Sequence, residues 1–214
     1  MSVGARLNLQ HRPDNDMQDG EERYGGWSHM INIVNVRGDL YVVDVGYGAG
    51  GPTHPLPLKE GDTSKHAMPS QGFRLRKGSI PQAKRETDGL WVLERRNAEK
   101  DPWTAVYCFE DRVCFLPQDF EVMNHFTNTH RTSVFTYRIM ASRYLLDRSG
   151  EEVVGEVIMF EDKVSRTEAG QEPIVAQLRT EHERALALQK HLGITLSEMQ
   201  KDGIKGMVTQ LLLE

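Results

Sequence analysis

The first two apolar runs of the chain are residues 30–36 and 40–45, with Arg37, Gly38 and Asp39 between them. Both runs are rich in valine and isoleucine, and a glycine-containing turn between such runs predicts a β-hairpin. Nearly every position in both runs is apolar, so we expect at least one of the two strands to be buried on both faces.

Further apolar stretches follow the hairpin. They predict further strands at residues 73–76, 90–95, 104–110, 133–141 and 153–160. Charged or turn residues bound each stretch, which is typical of an antiparallel barrel or sandwich. Residues 118–123, directly after Pro117, are predicted to form a short helix with acidic residues in its first turn. The polar residues 8–24 and the Gly- and Pro-rich residues 46–71 are predicted to be loops.

The C-terminal part of the chain has a different pattern. Apolar residues recur near helical spacing over residues 173–192, and Gly193 follows as a stop, so this stretch predicts a helix. Residues 197–213 predict a second, weaker helix that Gly203 and Gly206 interrupt. The fold class is therefore predicted to be α+β, a β-rich body of about 160 residues with a helical C-terminal end.

Composition and charge exclude several classes of function. The 214 residues are enough for one large domain or two small ones. A net charge of −5 and a pI near 5.9 argue against a nucleic-acid-binding protein, whose surface would be basic. No apolar run is long enough to span a membrane, and no signal peptide is evident. Two cysteines, Cys108 and Cys114, provide no disulfide framework. We expect a cytoplasmic globular protein.

Two residues of the hairpin region have the chemistry of a catalytic pair, His29 and Asp44. A buried carboxylate that binds one imidazole nitrogen fixes the tautomer and stabilises the protonated ring, and the other nitrogen can then take a proton from a thiol or hydroxyl. A turn near Gly38 brings residues 29 and 44 to within about a diagonal step, in reach if both face the same side. The alternative is a core histidine satisfied by a nearby acid, without catalysis.

No residue is an evident nucleophile for this pair. Ser28 adjoins His29, and adjacent strand residues point to opposite faces. Cys108 lies in the middle of a predicted strand, as a small buried hydrophobic residue does. Cys114 has Arg112 nearby, which could lower its pKa, but nothing else points to it.

Other chemistry-bearing features are weaker. The remaining histidines lack metal-ligand spacing and the cysteines are not C-x-x-C, so no metal site is predicted. The glycine-rich segment after Asp44 matches no nucleotide-binding fingerprint. It either cradles phosphates through backbone N–H groups or merely connects two elements. Residues 177–184 carry a charge run that is typical of a solvated face.

Five stretches of the sequence resemble one known family, the arylamine N-acetyltransferases, and its fungal members most of all. They are GWSHM at 26–30, VDVGYG at 43–48, GPTHPLPL at 51–58, DFEVMN at 119–124 and THRTSVF at 129–135. They occur in the family's order over most of the chain, and the spacing between His29 and Asp44 also matches. This agreement favours the catalytic interpretation of His29 and Asp44.

The resemblance implies a fold with a cysteine-protease-like triad. The family has an N-terminal helical bundle carrying a cysteine, a β-barrel carrying the histidine and the aspartate, and an α/β lid. For this chain it implies a barrel domain over residues 1–125 and a lid domain with C-terminal helices over residues 126–214. His29 would be the base and Asp44 the residue that orients it.

The resemblance also implies binding residues. Tyr47 stands where the family usually has a phenylalanine that lines the acceptor pocket. Gly25 and Gly26 match positions that lie against coenzyme A. Thr132 or Ser133 matches a hydroxyl that contacts it.

The implied activity is a ping-pong acyl transfer with no permanently bound cofactor. The acyl group passes from acetyl-CoA, or from malonyl-CoA or propionyl-CoA in some fungal members, through a cysteine to an arylamine, arylhydrazine or arylhydroxylamine. The family's cysteine follows an Arg-Gly-Gly-x-Cys pattern, which here would fall before Met1. The chain is therefore expected to be truncated at its N-terminus, as a shortened gene product, an alternative start or a remnant.

Three hypotheses follow for the protein. It is an acyltransferase whose nucleophile comes from a missing or separate segment. Alternatively, it is a catalytically inactive paralogue that at most binds acyl-CoA and an arylamine. The third hypothesis is that the chain hardly folds alone, because the barrel face that the family's bundle covers would leave an apolar patch exposed. Poor solubility or self-association is then expected.

Overall fold

The computed structural model describes residues 1–11, 22–61, 63–65, 71–83, 89–168 and 173–211. The chain divides into two compact units, Met1–Phe126 and Thr127–Glu214. The predicted loop over residues 8–24 lies mostly outside the described residues, because residues 12–21 are not among them.

The first unit is built on one antiparallel sheet, which in the described residues has eight strands. They are β1 Ser2–Asn8, β2 Tyr24–Val36, β3 Asp39–Val43, β4 Leu56–Pro57, β5 Thr63–Lys65, β6 Gly72–Gly78, β7 Leu90–Arg96 and β8 Thr104–Phe109. Their order across the sheet is β4-β3-β2-β1-β8-β7-β6-β5. A bridge between Glu60 and Leu75 connects the chain after β4 to β6, with the Gly61 N–H 2.9 Å from the Leu75 carbonyl oxygen. The two sheet edges thus approach each other, and the predicted antiparallel barrel is confirmed.

The hairpin of β2 and β3 is confirmed as well. Arg37 and Gly38 both have positive φ, at 56° and 101°, as a two-residue turn between twisted strands requires. The expectation that one strand is buried on both faces is wrong. Inward residues such as Ile31 and Ile33 are buried, whereas Met30 on the outer face is exposed. Continuous apolar character therefore did not mean burial on both sides.

Strand β1 was not predicted, although it lies in the middle of the sheet between β2 and β8. Val3 and Ala5 are buried, but Gly4 and Arg6 alternate with them and obscure the apolar pattern. The barrel interior is filled by buried apolar side chains from β1, β2, β3, β6, β7 and β8. Its largest fully buried members include Tyr107, Phe109, Phe73, Ile31, Leu75 and Leu93.

The predicted short helix is longer than expected and forms α1, Pro117–Thr129. Proline is favourable at the first helical position because its missing N–H would be unpaired there. The Asp119 carboxylate accepts the N–H of Leu116 at 2.7 Å, which fixes the start of the helix. No residue of α1 is buried.

The second unit combines a four-stranded antiparallel sheet with helices in its described residues. Its strands, adjacent in chain order, are β9 Met140–Leu146, β10 Val153–Phe160, β11 Lys163–Glu168 and β12 Ile174–Gln177. They are followed by α2 Glu181–Ala187, which continues into a π-helical turn Leu188–Leu192, and by α3 Glu198–Asp202. Val157, Met159 and Val164 of the sheet pack with Ala187 and Leu192 of the helix.

Three predicted elements of this unit need correction. The second helix, predicted over residues 197–213, spans only Glu198–Asp202, and turns follow it. The predicted strand 133–141 begins only at Met140, because a 3₁₀ turn occupies Val134–Thr136. The predicted helix 173–192 begins only after Thr180, whose side chain caps it by accepting the N–H of Glu183. The apolar residues 174–176 belong instead to β12, an exposed strand whose side-chain spacing resembled a helical face.

Candidate functional site

His29 and Asp44 meet at one end of the barrel. Nε2 of His29 lies 2.8 Å from Oδ2 of Asp44. The Asp44 side chain is fully buried, and 12% of the His29 side chain is exposed. A carboxylate can only accept, so Nε2–H donates to Asp44 and Nδ1 is left as the basic nitrogen. The contact expected from the hairpin geometry is therefore present.

Asp44 is held in place by the backbone that follows it. Strand β3 ends at Val43, and Oδ1 of Asp44 accepts the N–H groups of Gly46 and Tyr47 at 3.1 and 3.0 Å. This is the local turn that aspartate favours. One carboxylate oxygen thus binds the backbone and the other binds His29. The two N–H groups point at Asp44, so they do not contribute to a phosphate cradle.

A β-bulge sets the direction of His29. Strand β1 pairs Ala5 with His29 and Arg6 with Trp27, so Ser28 has no partner in the ladder. Such a bulge redirects the side chains on either side of it. The Ser28 hydroxyl forms no hydrogen bond to His29 in the described part of the chain, so Ser28 is not placed to act as its nucleophile.

Two tyrosine rings surround the imidazole. The ring centroids of Tyr47 and Tyr107 lie 5.9 and 5.5 Å from that of His29, and 6.1 Å from each other. Tyr107 is fully buried, and its hydroxyl lies close to Asp44 without a well-formed hydrogen bond. Burial, and then the negative charge of Asp44, raise the pKa of Tyr107 well above its usual value. Burial also raises the pKa of Tyr47, so both phenols are neutral hydrogen-bond donors at neutral pH.

Tyr107 was not predicted as a site residue. It lies on β8, which is separated from β2 by β1 in the sheet and by nearly eighty residues in the chain. Only the strand order brings it to His29, and no local motif marks it.

Neither cysteine completes the pair. Cys108 is fully buried and directly follows Tyr107 on β8, so it points to the opposite face of the strand from the tyrosine that contacts His29. Burial raises the pKa of Cys108 to about 12, which keeps it a thiol at neutral pH. Cys114 is exposed, and no hydrogen bond joins it to His29 among the described residues.

The glycines proposed for coenzyme A lie on the strand of His29. Gly25 and Gly26 belong to β2, four and three residues before the histidine. The space beside Gly26 is open, whereas a Cβ on Gly25 would lie 3.3 Å from Leu9. Gly26 is thus the position of the two that leaves room for a ligand.

The hydroxyls proposed for coenzyme A lie in the second unit. The exposed Thr132 places its Oγ1 2.9 Å from Nδ1 of His130. Ser133 is buried and donates its hydroxyl to the carbonyl oxygen of Thr127 at 2.6 Å. Thr132 is therefore the more accessible of the two.

No group of three or more potential metal ligands occurs among the described residues. In the same residues, no helix has the length and apolar character needed to cross a membrane.

Comparison with known proteins gives a consistent result. A family described as N-acetyltransferase matches residues 16–201. The chain is 33% identical over 210 residues to an N-malonyltransferase of Fusarium pseudograminearum, covering 94% of this chain and 61% of that protein. It is 32% identical over 211 residues to an N-malonyltransferase of Gibberella moniliformis, again covering 61% of the relative. The chain thus spans less than two thirds of the length of these relatives.

Solved structures share the fold. The arylamine N-acetyltransferase of Salmonella typhimurium superposes with a TM-score of 0.71 at 18% identity, covering 95% of this chain and 66% of that one. The Mycobacterium marinum arylamine N-acetyltransferase in complex with CoA gives a TM-score of 0.67 at 23% identity, covering 90% of this chain and 61% of that one. The extent of the family match and the shared fold establish that the chain belongs to the arylamine N-acetyltransferase family.

Proposed function

We propose that this protein transfers a short acyl group from an acyl-CoA to an aromatic amine. The observation that supports this most is the contact between His29 and the buried carboxylate of Asp44, which leaves Nδ1 of the imidazole as a base. His29 would remove the proton of a thiol, and Asp44 would orient the ring and stabilise the imidazolium.

The reaction would proceed in two half-reactions. A thiol gives its proton to Nδ1 of His29, and its sulfur attacks the thioester carbonyl. The bond to coenzyme A breaks, and the departing sulfur takes the proton from the imidazolium. The amine then attacks the acyl-thiol carbonyl and loses a proton to His29. The carbon–sulfur bond breaks, and the departing sulfur takes that proton from the imidazolium, which restores the thiol and the neutral base. By the family resemblance, Tyr47 would line the acceptor pocket, and Gly25 and Gly26 would lie against coenzyme A. Thr132 or Ser133 would supply a hydroxyl that contacts coenzyme A.

Donor and acceptor are inferred from the relatives. Acetyl-CoA is one candidate donor, and relatives named N-malonyltransferase make malonyl-CoA another. An arylamine acceptor fits the name of the relative from Salmonella typhimurium. No permanently bound cofactor is part of this proposal.

Cys108 does not supply the thiol of this reaction, because Cys108 is buried on the face of β8 opposite to Tyr107. An added small thiol can test the base directly. We expect the purified chain with acetyl-CoA or malonyl-CoA, p-anisidine and mercaptoethanol to acylate the amine faster than its His29→Gln variant, by about 100-fold. His182→Gln, an exposed histidine of α2, is the matched control and should transfer at the wild-type rate.

Equal rates for the wild type and His29→Gln would reject the acyltransferase proposal. The second candidate function, a binding module for acyl-CoA and arylamine, is favoured by the lack of a cysteine in contact with His29 among the described residues. It would be supported by saturable binding of acetyl-CoA or malonyl-CoA without His29-dependent transfer.

A further inference from the structure

One arginine points into the barrel near the candidate site. Arg95 lies on β7 and pairs directly with Phe73 of β6, a buried core residue. Directly paired residues share a face of the sheet. The preceding residue, Glu94, binds Arg74 and Arg76 on the outer face. Arg95 therefore projects to the inner side, at the position where Phe73 enters the core.

Arg95 has no acidic partner in the described part of the chain. Within those residues, its one side-chain hydrogen bond joins Nη1 to the carbonyl oxygen of Gly50 at 2.9 Å. By contrast, Arg74 and Arg76 on the outer face both form ion pairs with Glu94. A guanidinium has five N–H donors, so most of those on Arg95 remain for another acceptor. A half-buried, unpaired cation favours a negatively charged ligand.

The loop that Arg95 contacts also carries Tyr47, which packs edge-on against the ring of His29. The carbonyl oxygen of Gly50 accepts from Arg95, and the next residue, Gly51, lies directly against the Tyr47 side chain, so Arg95 and Tyr47 contact the same turn. Burial raises the pKa of Tyr47, and the positive charge of Arg95 opposes that rise. The neutral Tyr47 hydroxyl can donate a second hydrogen bond. One wall of the site thus runs from His29, past the Tyr47 ring, to the Arg95 guanidinium, for which the described residues provide no acidic partner.

We propose that Arg95 and Tyr47 bind the free carboxylate of a dicarboxylic acyl donor, so that the site prefers malonyl-CoA to acetyl-CoA. This inference rests on the proposed acyl-CoA chemistry at His29. A guanidinium binds a carboxylate through charge-assisted hydrogen bonds, and the methyl of an acetyl group leaves those donors unused. Arg95 would select the donor, while His29 would act on either thioester.

The test is isothermal titration calorimetry of the full chain with malonyl-CoA and with acetyl-CoA. We expect the wild type to bind malonyl-CoA about tenfold more tightly. Arg95→Gln should lose that preference while its affinity for acetyl-CoA stays the same, and Arg95→Lys should keep part of it. Arg96→Gln is the matched control. It removes the same positive charge, but from a side chain that stacks on Trp103. Thermal melting checks that each variant is folded.

Several outcomes would overturn the inference. Equal wild-type affinity for the two thioesters would do so, and so would a preference that survives Arg95→Gln. An equal loss of affinity for both thioesters in Arg95→Gln would show that Arg95 binds coenzyme A rather than the acyl group. These results leave His29-dependent transfer standing. Conversely, the preference for malonyl-CoA could depend on Arg95 while transfer does not depend on His29. That result would reject the proposed acyltransferase activity and support the carboxylate-binding role of Arg95. If the wild type bound neither malonyl-CoA nor acetyl-CoA, both the acyltransferase proposal and the carboxylate-binding role of Arg95 would be rejected.

Discussion

At the scale of single residues, Asp44 directly follows strand β3 and holds the imidazole of His29 in place. Its two oxygens bind two backbone N–H groups and one imidazole, and its side chain is fully buried. A carboxylate in this setting fixes both the position of His29 and the identity of its basic nitrogen. The remaining nitrogen then defines where a thiol must arrive.

The two cysteines are expected to differ in reactivity. Burial raises the pKa of Cys108 to about 12, whereas Cys114 is exposed. The thiolate is the reactive form, so iodoacetamide at pH 8 should modify Cys114 and leave Cys108 unmodified in the folded protein. Peptide mass spectrometry reads the result. Modification of Cys108 as fast as Cys114 would contradict the buried position described here.

The same thiol is expected to affect stability at high pH. The pKa of Cys108 is higher in the folded protein than the ordinary 9.0, so its neutral form contributes stability below pH 9.0. That contribution is lost as the pH rises towards 12. The free energy of unfolding, measured with urea between pH 8 and 10.5, should fall more steeply for the wild type than for Cys108→Ala. Cys114→Ala should follow the wild type.

Local motifs identified some site residues but not others. His29, Asp44 and Tyr47 lie on one hairpin and its following turn, so spacing and motif could place them together. Tyr107 and Arg95 come from β8 and β7, and only the register of distant strands brings them to the site. Sequence patterns carry little information about the register between strands that are not neighbours in the chain.

At the scale of elements, predictions succeeded where a pattern was local and failed where it was ambiguous. The hairpin follows from two apolar runs and a glycine turn, and β10 matches its predicted range of 153–160. Strand β1 was missed because Gly4 and Arg6 interrupt its apolar positions. Residues 174–177 were predicted as helix because a short apolar run is compatible with both the helical and the strand spacing of apolar residues. The Thr180 cap was the local feature that marks where the helix begins.

The turn of the β2–β3 hairpin is expected to be sensitive to a side chain. Gly38 has a φ of 101°, a region that other residues rarely adopt. Gly38→Ala should therefore lower the free energy of unfolding by about 1 kcal/mol, as measured by urea denaturation. Gly26→Ala is the matched control, since open space surrounds its Cβ position. If both variants lost the same stability, the turn would not be the source of the effect.

At the scale of the whole molecule, the family match and the fold are established, and the first unit exposes apolar side chains on its sheet. Three apolar residues of β2, Met30, Val34 and Val36, are exposed on the outside of the barrel at 47%, 40% and 50%. We call them the outer hairpin face. Exposed apolar patches mark surfaces where another molecule binds.

The outer hairpin face is expected to cause self-association. Light scattering coupled to size exclusion should show a mass that increases with protein concentration. Replacing Val34 and Val36 with threonine should shift the protein towards the monomer, because threonine keeps the β-branched shape and adds a hydroxyl. Met199→Thr, at an exposed residue of α3, should leave the mass unchanged. A monomer at every concentration would refute this expectation.

The most direct test of the central claim is a double-mutant cycle on His29 and Asp44, read as the rate of thiol-dependent acyl transfer to p-anisidine. If Asp44 acts through the imidazole, Asp44→Asn slows transfer in the wild-type background, and adding it to His29→Gln slows the reaction no further. Independent, additive losses would contradict the coupling. A His29→Gln enzyme that transfers at the wild-type rate would show that this imidazole is not the base.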